Sequence, residues 1–188
     1  MRSMMVDPEV ARVLAWLVNA RALPGRASLL ARDKTIIAVV GVADLSAIDL
    51  GNAIWRNAPA TAMRWRDREE PSLDGRSIAL EQILSGWRAT LESVMRRAIL
   101  DTEPVFPVLQ PRRSDEPQRP MDQQALLHVI RKRLRGIGLP EKSCGVRPLR
   151  GCLIATLIGR DGNLATWPME LAPIRSADPV IVLPGKHH

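Results

Sequence analysis

Val10, Val13, Leu14, Leu17 and Val18 recur at three- and four-residue intervals, which places them along one face of a helix. Asp7-Pro8 stands just ahead of them, an N-cap residue followed by a proline suited to a first helical turn. A second apolar stretch predicts a helix over 29–40. A shorter one predicts a third helix over 45–53, facing inward through Leu45, Ile48 and Ile54. Two short runs, 61–65 and 76–80, read as strands on either side of the acidic stretch DREEPSLDG, whose Asp74-Gly75 is a hairpin signal. From Glu81 the period returns to 3.6: Ile83, Leu84, Trp87, Leu91, Val94, Met95, Ala98 and Ile99 define a long amphipathic helix.

The proline-rich segment 103–120 reads as a loop, anchored in the core through Val105, Phe106, Val108 and Leu109. Asp122 is placed to cap a helix running to Leu134 and ended by Gly136 and Gly138. A further helix is expected over 148–158, and 180–183 is an apolar, strand-like run between prolines. The pattern as a whole predicts a mainly α fold with a small antiparallel β-hairpin. It forms one domain over 1–171, with a C-terminal tail over 172–188.

Composition narrows the function classes. The chain has 188 residues, 46% of them apolar, which suits a globular domain with a sizeable core. Its longest apolar run, TIIAVVGVA from Thr35, falls far short of the roughly 20 residues needed to span a bilayer. The N-terminus shows no apolar signal core, and a cytoplasmic protein with no membrane partner is expected. Cys144 and Cys152 alone make no disulfide framework, and no Cys/His spacing suggests zinc, so no cofactor is expected.

Charge adds a direction. The net charge is +7, and the excess is C-terminal. Between 131 and 150, Arg131, Lys132, Arg133, Arg135, Lys142, Arg147 and Arg150 face the single acid Glu141. A field of that sign favours a polyanion, with nucleic acid the commonest. Single-strand binding on exposed aromatics is disfavoured, since the chain has no tyrosine and one phenylalanine, Phe106.

The stretch GVRPLRGCLIATLIGRDGNL, from Gly145, gives these charges a context. Arg147-Pro148-Leu149-Arg150, then Ala155, Thr156, Leu157, Gly162 and Leu164, resembles the last box of the tyrosine recombinase/phage integrase catalytic domain. Further pieces of the resemblance are Arg32-Asp33, Gly41-Val42 and Pro104-Val105-Phe106, and it covers about 7–171. It implies an integrase-like fold in which arginines neutralise charge on the phosphoryl oxygens by bidentate hydrogen bonds.

Carried over position by position, most of that machinery fails. Arg150 matches the family's second arginine, while Arg147 stands where the box has histidine and cannot act as a general acid near neutral pH. Ala43 and Asp44 occupy the place of the first arginine. The hairpin has no lysine, although Arg64 and Arg66 are placed to contact backbone. No tyrosine exists to form the covalent intermediate. The resemblance also implies that the family's N-terminal DNA-clamping domains are missing from this chain.

The resulting expectation is a non-catalytic, recombinase-like protein, and not an enzyme. It contacts the backbone of duplex DNA through Arg147, Arg150, Arg131, Lys132, Arg133, Arg135, Lys142, Arg64 and Arg66. It partners an active recombinase or associates with itself through the tail. Two alternatives stay open: a protein–protein module that has lost DNA binding, and an enzyme using Ser143 or Cys144 as nucleophile.

Overall fold

A computed structural model describes residues 5, 7–43, 45–58, 75–109 and 118–153. Those residues are mainly helical. In chain order the helices are α1 (Asp7–Asn19), α2 (Ala27–Val42), α3 (Ala47–Gly51), α4 (Gly75–Met95), α5 (Gln123–Gly136) and α6 (Val146–Leu149). Short 3-10 turns stand at Trp55–Asn57 and Glu141–Ser143. Among the described residues there is no sheet; the only β pairings are two isolated bridges, Ile54 with Pro104 and Pro107 with Pro120.

Helix α2 is the axle of the fold, and its sequence explains why. From Asp33 to Val42 every residue is buried, so it carries no polar face over that length, as expected of a helix enclosed on all sides. Helices α4 and α5 pack against it, and α6 closes over its C-terminal end. There the turn after α6 is pinned by two backbone hydrogen bonds, Gly151 N–H to the Val40 carbonyl (3.2 Å) and Leu153 N–H to that of Gly41 (2.9 Å). Leu153 lies so close over Gly41 that a Cβ there would stand 2.6 Å from its Cγ.

The predicted hairpin does not form as read. The run 76–80 lies inside α4, which starts at Gly75 rather than Glu81. Ala79 and Leu80 are buried in register with Ile83, Leu84, Trp87 and Leu91, so the 3.6 period simply extends upstream, and Gly75 of the expected turn is the first residue of the helix. The other expected strand, 61–65, lies outside the described residues, as do the tail 172–188 and the strand-like run 180–183.

At its other end α4 stops at Met95, and Arg96 takes a left-handed φ of 54°. Ala98 and Ile99 therefore lie beyond the helix, although Ile99 is buried, and Val94 faces out. In α3 the inward residues are Ala47 and Leu50, with Leu45 buried just ahead of it; Ile48 is 54% exposed, because the helix starts at Ala47 under a Ser46–Asp49 capping box that sets a different face inward. The helix expected over 148–158 is, among the described residues, the four-residue α6, ended where Gly151 turns to a φ of +64°.

Elsewhere the sequence pattern and the fold agree. Val105 and Phe106 are buried, with Val108 and Leu109 packed on the core, so the proline-rich loop is anchored as expected. The Trp87 indole N–H donates to the Val105 carbonyl at 2.6 Å, and its ring stacks on Phe106 at 6.4 Å. Asp122 caps α5 by accepting from the Ala125 N–H at 2.7 Å. No helix among the described residues is long and apolar enough to cross a membrane.

Candidate functional site

The joint between α1 and α2 is a tight turn. Pro24 occupies its second position and Gly25 its third with a φ of +71°, and the Arg26 N–H donates back to the Leu23 carbonyl at 3.0 Å. Proline followed by a left-handed glycine is the signature of a type II turn, and a Cβ at the third position would be strained. The turn sets Arg21, Leu23 and Arg26 on the rim of a hollow of about 270 Å³.

Helix α2 begins directly behind this rim. Arg26 is its N-cap and makes no side-chain cap hydrogen bond, and no acidic residue sits in its first turn. Helix starts ordinarily carry Ser, Thr, Asp or Asn caps and acidic first turns, which satisfy the free N–H groups and the positive end of the dipole. Here the cap residue is an arginine, which satisfies none of those N–H groups and brings a positive charge to that end of the helix. The arrangement is electrostatically unfavourable by a few tenths of a kcal/mol to ~1 kcal/mol unless an anion is present.

The opposite wall comes from α5. Its core stripe is Leu126, Ile130 and Leu134; the stripe beside it, His128, Val129, Lys132 and Arg133, turns toward the hollow. Asp33 lies between the two walls, with its side chain 6% exposed. Its Oδ1 accepts from Arg32 Nε (3.1 Å) and Nη2 (2.9 Å), and its Oδ2 accepts from Arg133 Nε (2.8 Å) and Nη2 (2.6 Å). One carboxylate thus fixes two guanidinium planes, one from each helix, by fork-like pairing. Around the hollow stand five cations (Arg21, Arg26, Arg32, Lys132 and Arg133) and the single carboxylate Asp33, a formal excess of 5 − 1 = 4.

The residues singled out in the sequence separate into groups. Lys132 and Arg133 line the hollow, and Arg131, on the same helix, is exposed. Arg135 pairs with Glu141 through Nε (2.6 Å) and Nη2, which ties the end of α5 to the following 3-10 turn and holds the Glu141 carboxyl below its ordinary range. Lys142 on that turn and Arg147 on α6 are exposed. Arg150 is half-buried and donates from Nε to the Leu45 carbonyl at 2.9 Å, a link between α6 and the segment after α2. Arg64 and Arg66 lie outside the described residues.

Arg147 and Arg150 are therefore not brought to the hollow. Arg150 is anchored near the C-terminal end of α2, while Asp33 sits ten residues before Ala43, about 15 Å along the helix axis. In their place the structure supplies Arg21, Arg26 and Arg32. The signal for them was present in RALPGRASLLARD, which has three arginines around a Pro-Gly turn and no acid before Asp33.

The candidate nucleophiles are enclosed. Ser143 is 2% exposed, its hydroxyl 3.0 Å from both oxygens of the buried Glu9 carboxylate, so it joins α1 to the 3-10 turn. The Cys144 thiol is buried, which raises its pKa, and Cys152 is pushed up to about 12 by burial. A thiolate is the reactive form, so burial disfavours reaction at either sulfur near neutral pH. Among the described residues no three His, Cys, Asp or Glu side chains group as metal ligands.

Comparison with known proteins returns no match: no protein-family model, no curated protein and no solved structure is significantly similar to the chain.

Proposed function

We propose that the protein binds the phosphate backbone of duplex DNA without cutting it, with the hollow between α2 and α5 as the main contact and Arg131, Lys142 and Arg147 as outlying ones. The observation that carries this reading is that five cations and a single carboxylate line one hollow, beside a helix start whose cap residue is an arginine where an acid or a hydroxyl ordinarily stands. Arginine is suited to this work because its planar fork binds phosphate oxygens bidentately and stays charged. In a concave site, cations of one sign focus the field and raise the local concentration of a polyanion.

Nothing in the reading calls for chemistry on the DNA. The chain has no tyrosine, and Ser143 and Cys144 are buried away from the hollow's rim. The recombinase-like order of motifs in the sequence supports the further proposal that the protein serves as an accessory to an active recombinase.

The test is fluorescence anisotropy with a labelled duplex at low salt. Arg26→Ala combined with Lys132→Ala is expected to weaken binding at least tenfold, with no covalent protein–DNA species in the wild type. Both side chains are exposed, so the fold survives their loss. An unchanged affinity in that variant would remove the hollow from the interface.

A further inference from the structure

The hollow is only half a cation site. Apart from His128, its remaining lining is apolar: Ala22 and Leu23 from the turn, Leu29 and Leu30 from the first turn of α2, and Val129 from α5. Leu23 is 67% exposed, and Leu29 and Leu30 are half-buried, outside the fully buried core. Three leucines thus line the same space as five cations, Leu23 exposed and Leu29 and Leu30 half-buried.

A bare phosphate contact accounts for the cations but leaves the leucines unexplained. The volume points the same way: about 270 Å³ is close to the lower end for small-molecule pockets and equals roughly nine water volumes. A tetrahedral phosphate fills only part of that. The complementary ligand carries a phosphate at one end and a flat, largely apolar body at the other. The guanidinium of Arg26, which is exposed, adds a stacking surface for an aromatic ring.

We infer that the hollow holds a single phosphorylated nucleotide, its phosphate among Arg26, Arg32, Lys132 and Arg133 and its base against the Leu23, Leu29 and Leu30 wall. This rests on the reading of the hollow as a phosphate site and adds what lies beside the phosphate. The nucleotide comes either free from solution or as the phosphorylated end of a DNA strand; the chemistry recognised is the same.

The experiment is isothermal titration of the full chain at low salt with deoxyadenosine 5′-monophosphate, inorganic phosphate and unphosphorylated deoxyadenosine. The nucleotide is expected to bind at least tenfold more tightly than inorganic phosphate, and the nucleoside too weakly to measure. Leu23→Ser, at an exposed turn position outside the core, is expected to lower nucleotide affinity several-fold and leave inorganic phosphate unchanged. Nucleotide and phosphate affinities within twofold of each other, or equal losses for both in Leu23→Ser, would overturn the inference.

Failure here is distinguishable from failure of the backbone reading. Duplex binding together with a nucleotide-to-phosphate ratio near one leaves that reading standing and removes this one. Tight nucleotide binding without duplex retention does the reverse. A 5′-phosphorylated oligonucleotide compared with its unphosphorylated twin separates the sources. With the tenfold ratio in place, a preference for the phosphorylated strand supports the site as a strand-end pocket, and equal affinity supports it as a pocket for free nucleotide.

Discussion

Replacing Asp33 by asparagine removes the charge that holds the two walls of the hollow together while keeping nearly the same shape. Asp33 accepts four hydrogen bonds from two guanidinium groups, and its side chain is almost fully enclosed. Charge-assisted hydrogen bonds contribute about 1.5–3 kcal/mol each, and removing one partner of a buried pair costs about 3–5 kcal/mol. Arg133 is a third exposed, so water takes over part of its solvation. Arg32, 12% exposed, loses its partner in a drier setting. An asparagine oxygen still accepts from one of them. The expected loss is about 2–3 kcal/mol, read as a lower midpoint in urea denaturation with an unchanged slope. A double-mutant cycle with Arg133→Met isolates the bridge between α2 and α5, with an expected coupling of about 1–2 kcal/mol. A loss below about 0.5 kcal/mol for Asp33→Asn would show that the bridge does not fix the walls and would refute the argument.

Other outcomes follow from the packing and the titrating groups. Gly41→Ala drives a Cβ into the fully buried Leu153, and after the ~1 kcal/mol gained in helix propensity a net loss of about 1–2 kcal/mol is expected in thermal or urea unfolding. Glu103 is held below its ordinary pKa of 4.5, first by its hydrogen bond with Arg97 and then by that from the Leu100 N–H. Its contribution is therefore present above pH 4.5 and is lost as pH falls through the depressed folded value. The stability gap between wild type and Glu103→Gln should be full at pH 7 and shrink below pH 4.5; a gap independent of pH would contradict this. Cys144 and Cys152 should resist a thiol reagent at pH 8 in the native state and react promptly in denaturant, since burial raises both pKa values. Fast labelling of native protein would contradict the raised thiol pKa values.

The sequence made the helices legible wherever a single face had to be buried. Val13 and Leu17 in α1 and the Asp122 cap of α5 are local signals, and local physics decides them. The 76–80 run shows where that logic gives out. Five residues are too few to separate a strand from the start of a helix, and a turn signal such as Asp74-Gly75 precedes either one. The candidate site was legible in its chemistry but not in its geography. Lys132 and Arg133 stand out as part of a basic run, yet Arg133 is a hundred residues from the Asp33 it grips, and only packing brings them together. Arg147 and Arg150 looked equivalent to that run in charge; in the fold one is exposed and the other reaches to the Leu45 carbonyl. Arg21 and Arg26 flank a local Pro-Gly turn signal, but only packing shows that α5 faces them across the hollow.

The most direct measurement is the salt dependence of duplex binding by wild type and by Arg26→Glu with Lys132→Glu. Each phosphate neutralised contributes about −0.9 to the slope of log K against log salt, so a hollow with an excess of four positive charges predicts a slope near −4. The double reversal changes the charge by −4 and takes that excess to zero, so the hollow's share of the slope is expected to vanish and binding to weaken more than a hundredfold at low salt. A wild-type slope near zero, or a steep slope that the reversal leaves unchanged, would contradict the claim that this hollow holds the DNA backbone.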